Sequence, residues 1–155
     1  MASEKSPITV LVIDDDEFFR EMAKKALKEY LQYEVLTAPS GMDGVDMLIK
    51  NTVHLILLDV AMPGWSGFKT LSVIRDNVLL KNIPVIMLTA SAERESVIKA
   101  SQYGVENYIR KPFQPQEFVN RVSKVVSEHW QEESRDWLEL KIDDLYKTLG
   151  KGLDN

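Results

Sequence analysis

Cysteine is absent from these 155 residues. That excludes disulfides, a thiolate nucleophile and any cysteine-based zinc site, and it suits a reducing compartment. Long apolar runs are missing too. No segment approaches the 18 or so continuous apolar residues of a membrane-spanning helix. The opening Met1–Pro7 is polar, without the apolar stretch of a signal peptide, so the cytoplasm is the expected location. Positive charge is in deficit, with 19 Lys and Arg against 24 Asp and Glu and a net charge of −5. That balance speaks against general nucleic-acid binding. Histidine is scarce: His54 and His129 are the two, neither at ligand spacing, and both read as structural. There is no internal repeat and no low-complexity tract. What remains is an ordinary globular composition, 45% hydrophobic and 28% charged, in a chain long enough for one domain with a modest addition.

Strand and helix patterns alternate with little left over. Residues 8–13, rich in β-branched residues, predict a buried strand. Phe19, Met22, Ala23, Ala26, Leu27 and Tyr30 recur at helical spacing over 16–31, with Asp16 as the cap. A short strand follows over 34–38. A helix then opens at Ser40 or Gly41 and runs to Lys50, turning Val45, Leu48 and Ile49 inward. The central strand is 54–59. A third helix over about 67–78 carries Phe68, Leu71 and Ile74. A strand over 84–89 leads to a fourth helix, from Ser91 or Ala92 through Gln102, which Gly104 ends. A fifth strand covers 105–110, and Pro115 suits the first turn of a helix carrying Phe118, Val122, Val125 and Val126.

Five β-α units with short connections imply a parallel sheet with helices on both faces. Chain order does not fix strand order. A doubly wound, flavodoxin-like order 2-1-3-4-5 would bring the C-terminal ends of the first and third strands together at the switch point. Chemistry-bearing residues stand at those ends: Asp14, Asp15 and Asp16 after the first strand, Asp59 at the tip of the third, and Thr89 at the tip of the fourth. Carboxylates that close repel one another and call for a cation.

The residues that carry this pattern also carry a resemblance. Val12-Ile-Asp-Asp-Asp16, Leu57-Leu-Asp-Val-Ala-Met-Pro-Gly64 with Gly67, Leu88-Thr-Ala90 and Tyr108-Ile-Arg-Lys-Pro-Phe113 stand in order. Thr89 and Lys111 lie 30 and 52 residues beyond Asp59. From about residue 7 to 127 the chain resembles a response-regulator receiver domain of two-component signalling. The resemblance implies that Asp59 accepts a phosphoryl group from a sensor histidine kinase or a histidine phosphotransfer protein. It implies Mg²⁺ held by Asp14, Asp15, Asp59 and the backbone carbonyl of Ala61, with Asp16 left as a helix cap. Lys111 would be the counter-ion, its bond to Pro112 cis. Three carboxylates, the metal and one ammonium then sum to zero charge. Thr89 and Tyr108 would form the switch, acting on the face made by the fourth helix and fifth strand, and small Ala90 would leave room for the phosphoryl group. Such a domain phosphorylates itself and slowly dephosphorylates, rather than turning over outside substrates.

Some positions depart from the usual pattern. Ala61 stands where polar residues are frequent, which puts the dephosphorylation rate in question. Trp65 is a bulky aromatic beside the site, readable as a plain loop residue or as a shield or partner contact. Phe18 faces out of the first helix and is a candidate docking residue for the phosphodonor. Two other readings compete. A haloacid-dehalogenase-type phosphatase generally places a second acid two residues after its nucleophile, and Ala61 stands there. A binding module that has lost phosphorylation does not need the Asp14, Asp15, Asp59, Thr89 and Lys111 set.

The expected organisation is a disordered 1–7, a receiver over 8–128 and an acidic helical extension or linker over 129–155. From Glu128 onward there are eight acids and four bases. Leu138, Ile142, Leu145 and Leu149 form an amphipathic stripe, and Trp130 and Trp137 stand one heptad apart. The extension is a candidate dimer seam or linker of a longer regulator. A homodimer would use it or the fourth-helix and fifth-strand face, with no direct nucleic-acid contact and no membrane partner.

Overall fold

The computed structural model describes residues 7–90, 99, 101–105 and 107–130. Five strands, β1 (Thr9–Ile13), β2 (Glu34–Ala38), β3 (Leu55–Asp59), β4 (Val85–Thr89) and β5 (Asn107–Arg110), form one sheet in the order β2-β1-β3-β4-β5. Every pairing is parallel, with Val10 opposite Leu55, Asp59 opposite Leu88 and Thr89 opposite Arg110. A parallel sheet covered on both faces needs strands that are apolar throughout, and β3 and β4 are buried along their whole length. Alternate residues feed two cores. Val10, Val12, Leu55, Leu57, Ile86 and Leu88 point to one side, and Leu11, Ile13, Ile56, Leu58 and Met87 to the other.

Three helices, α1 (Glu17–Leu31), α2 (Gly41–Lys50) and α3 (Gly67–Asp76), each follow a polar capping residue, as expected at Asp16 and Ser40. Asp16 Oδ1 accepts from the Phe18 and Phe19 N–H groups at 3.0 and 3.4 Å. Ser40 Oγ accepts from the Asp43 N–H at 3.2 Å, and Ser66 Oγ from the Lys69 N–H at 3.2 Å. Each satisfies an amide that the first turn leaves unpaired. Residues 115–130 are also helical and cover the α1 side of the sheet through Phe118, Val119, Val122, Val125 and Val126.

That helix runs without a break past Glu128 to Trp130. The Trp130 indole N–H donates to the His54 carbonyl at 2.8 Å, and the two rings meet edge to face at 5.1 Å. His54 Nδ1 accepts from the Thr9 N–H at 3.0 Å. Trp130 is thereby tied to the starts of β1 and β3, opposite the strand tips. At that same end, a cleft of about 500 Å³ is lined by Arg75, Pro84, Tyr103, Asn107, Glu128 and His129 among others. Arg75 donates to the carbonyls of Tyr103, Lys81 and Ile83 at 2.8 to 2.9 Å and so joins the loops around it.

Three sequence expectations need correction. Tyr30, assigned to the inward stripe of α1, is 57% exposed. It lies in the last turn, on the rim of an open groove shared with Met22, Phe113 and Phe118. Ile49 is 65% exposed, because one step past buried Leu48 turns a side chain by about 100°. Helix α3 stops at Asp76 rather than Val78. Asn77 leaves the helix in an extended conformation and its side chain accepts from the Leu79 N–H at 2.9 Å. Asparagine favours such a local turn over another helical residue. The expected start of the fourth helix, the disordered N-terminus and the amphipathic stripe with Trp137 lie outside the described residues. Among those described, no helix is long and apolar enough to cross a membrane.

Candidate functional site

The strand order puts the tips of β1 and β3 side by side, and their acids meet. Ligand oxygens of Asp14, Asp15 and Asp59 lie within 4.8 Å of one another. Asp14 and Asp59 are buried, whereas Asp15 is exposed. The backbone holds Asp14 rigidly. Its N–H donates to the Ala38 carbonyl at 3.1 Å, its carbonyl accepts from Arg20 Nη1 at 2.7 Å, and its Oδ1 accepts from the Asp16 N–H at 3.0 Å. Asp59 is anchored by the turn that follows it. The Val60 N–H donates to the Leu88 carbonyl at 2.9 Å, and the Gly67 N–H to the Val60 carbonyl at 2.8 Å. A Cβ on Gly67 would stand 2.3 Å from the Asp59 carbonyl oxygen, so only glycine lets α3 begin this close to the strand tip.

Lys111 supplies the positive charge. Its Nζ is ion-paired with Asp14 Oδ2 and reaches Asp59 Oδ1 at 3.5 Å. The first partner is therefore the fully buried Asp14, a buried charge that is tolerated when it is paired. The Lys111 N–H donates to the Thr89 carbonyl at 2.8 Å, and the Lys111–Pro112 peptide is cis. Burial outweighs the attraction of Lys111 at Asp59. With repulsion from Asp14 and Asp15 added, its carboxyl is pushed up to about 6.

The other predicted residues fall around this cluster. Thr89 ends β4, 6% exposed. Tyr108 lies on β5 opposite Met87, half-buried, and burial raises its hydroxyl above the usual tyrosine range. Ala61 and Ala90 are exposed beside the site. Trp65 is half-buried with Lys69 Nζ 5.7 Å from its ring centre, and Phe18 projects from α1 at 77% exposure. Two contributors have no motif to mark them. Arg20 pins the Asp14 carbonyl, and Phe19, readable only as a core position, places its ring 4.1 Å from Lys111 Nζ. An Arg or Phe at helical spacing looks the same in sequence whether or not it faces a strand tip.

The acids suit a hard cation. Magnesium takes oxygen ligands and keeps several waters, so a few converging carboxylates meet its demand. Residues 10–123 match the response regulator receiver domain family. The chain belongs to that family. This receiver is 37% identical over 118 residues to the phosphate regulon transcriptional regulatory protein PhoB of Pseudomonas aeruginosa, a match covering 76% of the chain and 51% of PhoB. It is 34% identical over 116 residues to chemotaxis protein CheY-3 of Vibrio cholerae serotype O1, covering 75% of the chain and 89% of that protein. The match thus spans about half of PhoB and most of CheY-3. Among solved structures, Vibrio cholerae CheY4 superposes with a TM-score of 0.74 at 28% identity, over 77% of this chain and 99% of that one. A CheY-like receiver domain protein from Methanospirillum hungatei gives 0.75 at 26% identity, over 82% and 99%. The fold and acidic pocket are those of a two-component receiver.

Proposed function

We propose that Asp59 is the phosphoacceptor of this receiver and that its donor is the phosphohistidine of a sensor kinase or histidine phosphotransfer protein. The observation that carries the reading is the convergence of three carboxylates and Lys111 at the tips of β1 and β3. A carboxylate oxygen of Asp59 forms the new P–O bond as the P–N bond of the donor breaks. The electron pair returns to the imidazole nitrogen, which regains a proton from solvent. Lys111 neutralises charge on the transferring group, and Thr89 offers a hydroxyl at the same edge. Asp14, Asp15, Asp59 and the Ala61 carbonyl are the residues that would hold Mg²⁺. When bound, the ion supplies the positive charge that lets an anionic donor approach.

The added charge, about −1.5 to −2, is read out through Thr89 and Tyr108 toward the β5 face. The output is a partner protein or a further domain. The acidic composition favours a protein surface over nucleic acid, and self-association through the β5 face or the C-terminal extension is the dimer to test for. Phe18, exposed on α1 beside the pocket, is the docking residue for the donor. Trp65 shields the site. Ala61 argues against a dehalogenase-type phosphatase, which needs an acid there to protonate a leaving group. The intact acid and lysine set argues against a module that has lost phosphorylation.

Acetyl phosphate with Mg²⁺ should add a single phosphate by intact-mass measurement, and Asp59→Asn should abolish it. Phosphate incorporation that persists in Asp59→Asn would sink the assignment.

A further inference from the structure

Lys111 has carboxylates on one side and an aromatic ring on the other. Phe19 presents its ring 4.1 Å from Nζ, inside the distance at which the quadrupole of an aromatic face attracts an ammonium. The ring is itself immobilised. It is 5% exposed and packs edge-on against Phe113 at 5.4 Å and Phe118 at 6.5 Å, which stack on each other at 4.7 Å. Phe19 lies three residues after the Asp16 cap, so α1 sets its height beside the β1 tip. The Lys111 side chain is 20% exposed. The attraction therefore acts in a partly desolvated setting, where it is strongest.

We infer that Phe19 is a positioning residue for Lys111, its ring face holding the ammonium over the acidic pocket while the carboxylate partners change. This rests on the proposed phosphoacceptor reading. Under that reading Asp14 and Asp59 are claimed by a metal and by a phosphoryl group, so neither can remain the full-time partner of Lys111. The ring cannot ligate Mg²⁺. It also carries no net negative charge to repel a phosphodonor. A leucine would fill the same core space but lacks the negative face, which separates positioning from packing. The aromatic cluster thus anchors a cation as well as the helix pair.

The test replaces Phe19 in the full chain with a series of ring-fluorinated phenylalanines, which keep the shape and progressively cancel the quadrupole. Phe19→Leu and Phe19→Tyr complete the set. The initial rate of phosphorylation by acetyl phosphate should fall stepwise with fluorination, reaching roughly 3- to 30-fold at the most fluorinated ring and at Leu. Tyr should retain the rate, and Mg²⁺ affinity, read from Trp65 fluorescence, should stay within about twofold. In the unaltered protein the Lys111 ε-methylene protons should resonate upfield of ordinary lysines, with and without Mg²⁺, from the ring current of Phe19. A flat rate across the fluorinated series, in a chain that does take phosphate, overturns the positioning role and leaves the phosphoacceptor reading intact. Ordinary ε-methylene shifts overturn the contact itself, whatever the phosphorylation result. An unaltered chain that takes no phosphate at all overturns the phosphoacceptor reading, and the positioning role with it.

Discussion

Asp59 is a carboxylate held where ionisation is resisted. Desolvation at the β3 tip is the largest cause, and neighbouring acids add to it beyond what Lys111 takes away. The folded-state value of about 6 lies above the ordinary aspartate range, so between about pH 4 and 6 the folded chain holds a proton that the unfolded chain has released. Stability therefore falls as pH rises through that window and stays lower above it. Asp59→Asn removes the buried charge. In chelator, at pH 7, the variant should be the more stable by on the order of 2–3 kcal/mol, with the advantage fading toward pH 4. Thermal unfolding at both pH values checks this. An equal difference at the two, or a less stable variant at pH 7, contradicts it. Stability given up at one residue in this way is common where a site needs charge crowded together.

Among the elements, the helix over 115–130 ties the two ends of the molecule together. Its N-terminal turns pack Phe118 on the cluster around Phe19, and Trp130 clips onto the base of β3 through its indole and the His54 carbonyl. The inner apolar stripe of the helix, Phe118, Val119, Val122, Val125 and Val126, packs on the sheet. Trp130 adds a directional contact to the start of β3. Trp130→Phe keeps most of the ring packing and loses the indole donor, so it should cost about 1 kcal/mol. Trp130→Ala loses both, and with the residue half-buried should cost about 2–3 kcal/mol. Urea midpoints at unchanged m-value measure the difference. A Trp130→Phe variant as stable as the unaltered chain would mean that the hydrogen bond to His54 contributes nothing.

At the scale of the whole molecule, the parallel sheet brings together groups that are far apart along the chain. Asp14 and Lys111 are 97 residues apart and in contact. Binding free energy at such a junction is also folding free energy. A cation that binds the folded pocket and not the unfolded chain stabilises by about 2.7 kcal/mol at one hundred times its dissociation constant. For a domain of this size that raises the melting temperature by roughly 5–10 °C. Mg²⁺ should produce such a shift, NaCl at matched ionic strength should not, and Asp15→Asn should remove most of it. Identical shifts with NaCl would assign the effect to screening.

Much of this was legible without a structure. Alternating strand and helix patterns, strands apolar on both faces and short connections leave few topologies other than a doubly wound sheet. In such a sheet the C-terminal strand tips converge at the switch point, so Asp14, Asp15, Asp59 and Thr89 could be gathered from their positions in the chain. Helix starts were legible for the same local reason, as at Asp16 and Ser40. Only the tertiary structure decided that the first partner of Lys111 is Asp14, that Phe19 faces that lysine, that Arg20 pins Asp14, and that Tyr30 and Ile49 point to solvent. Periodicity states which way a side chain points from its own element. What it meets there depends on how deep, and against what, the element packs, and those quantities belong to pairs of segments rather than to either one.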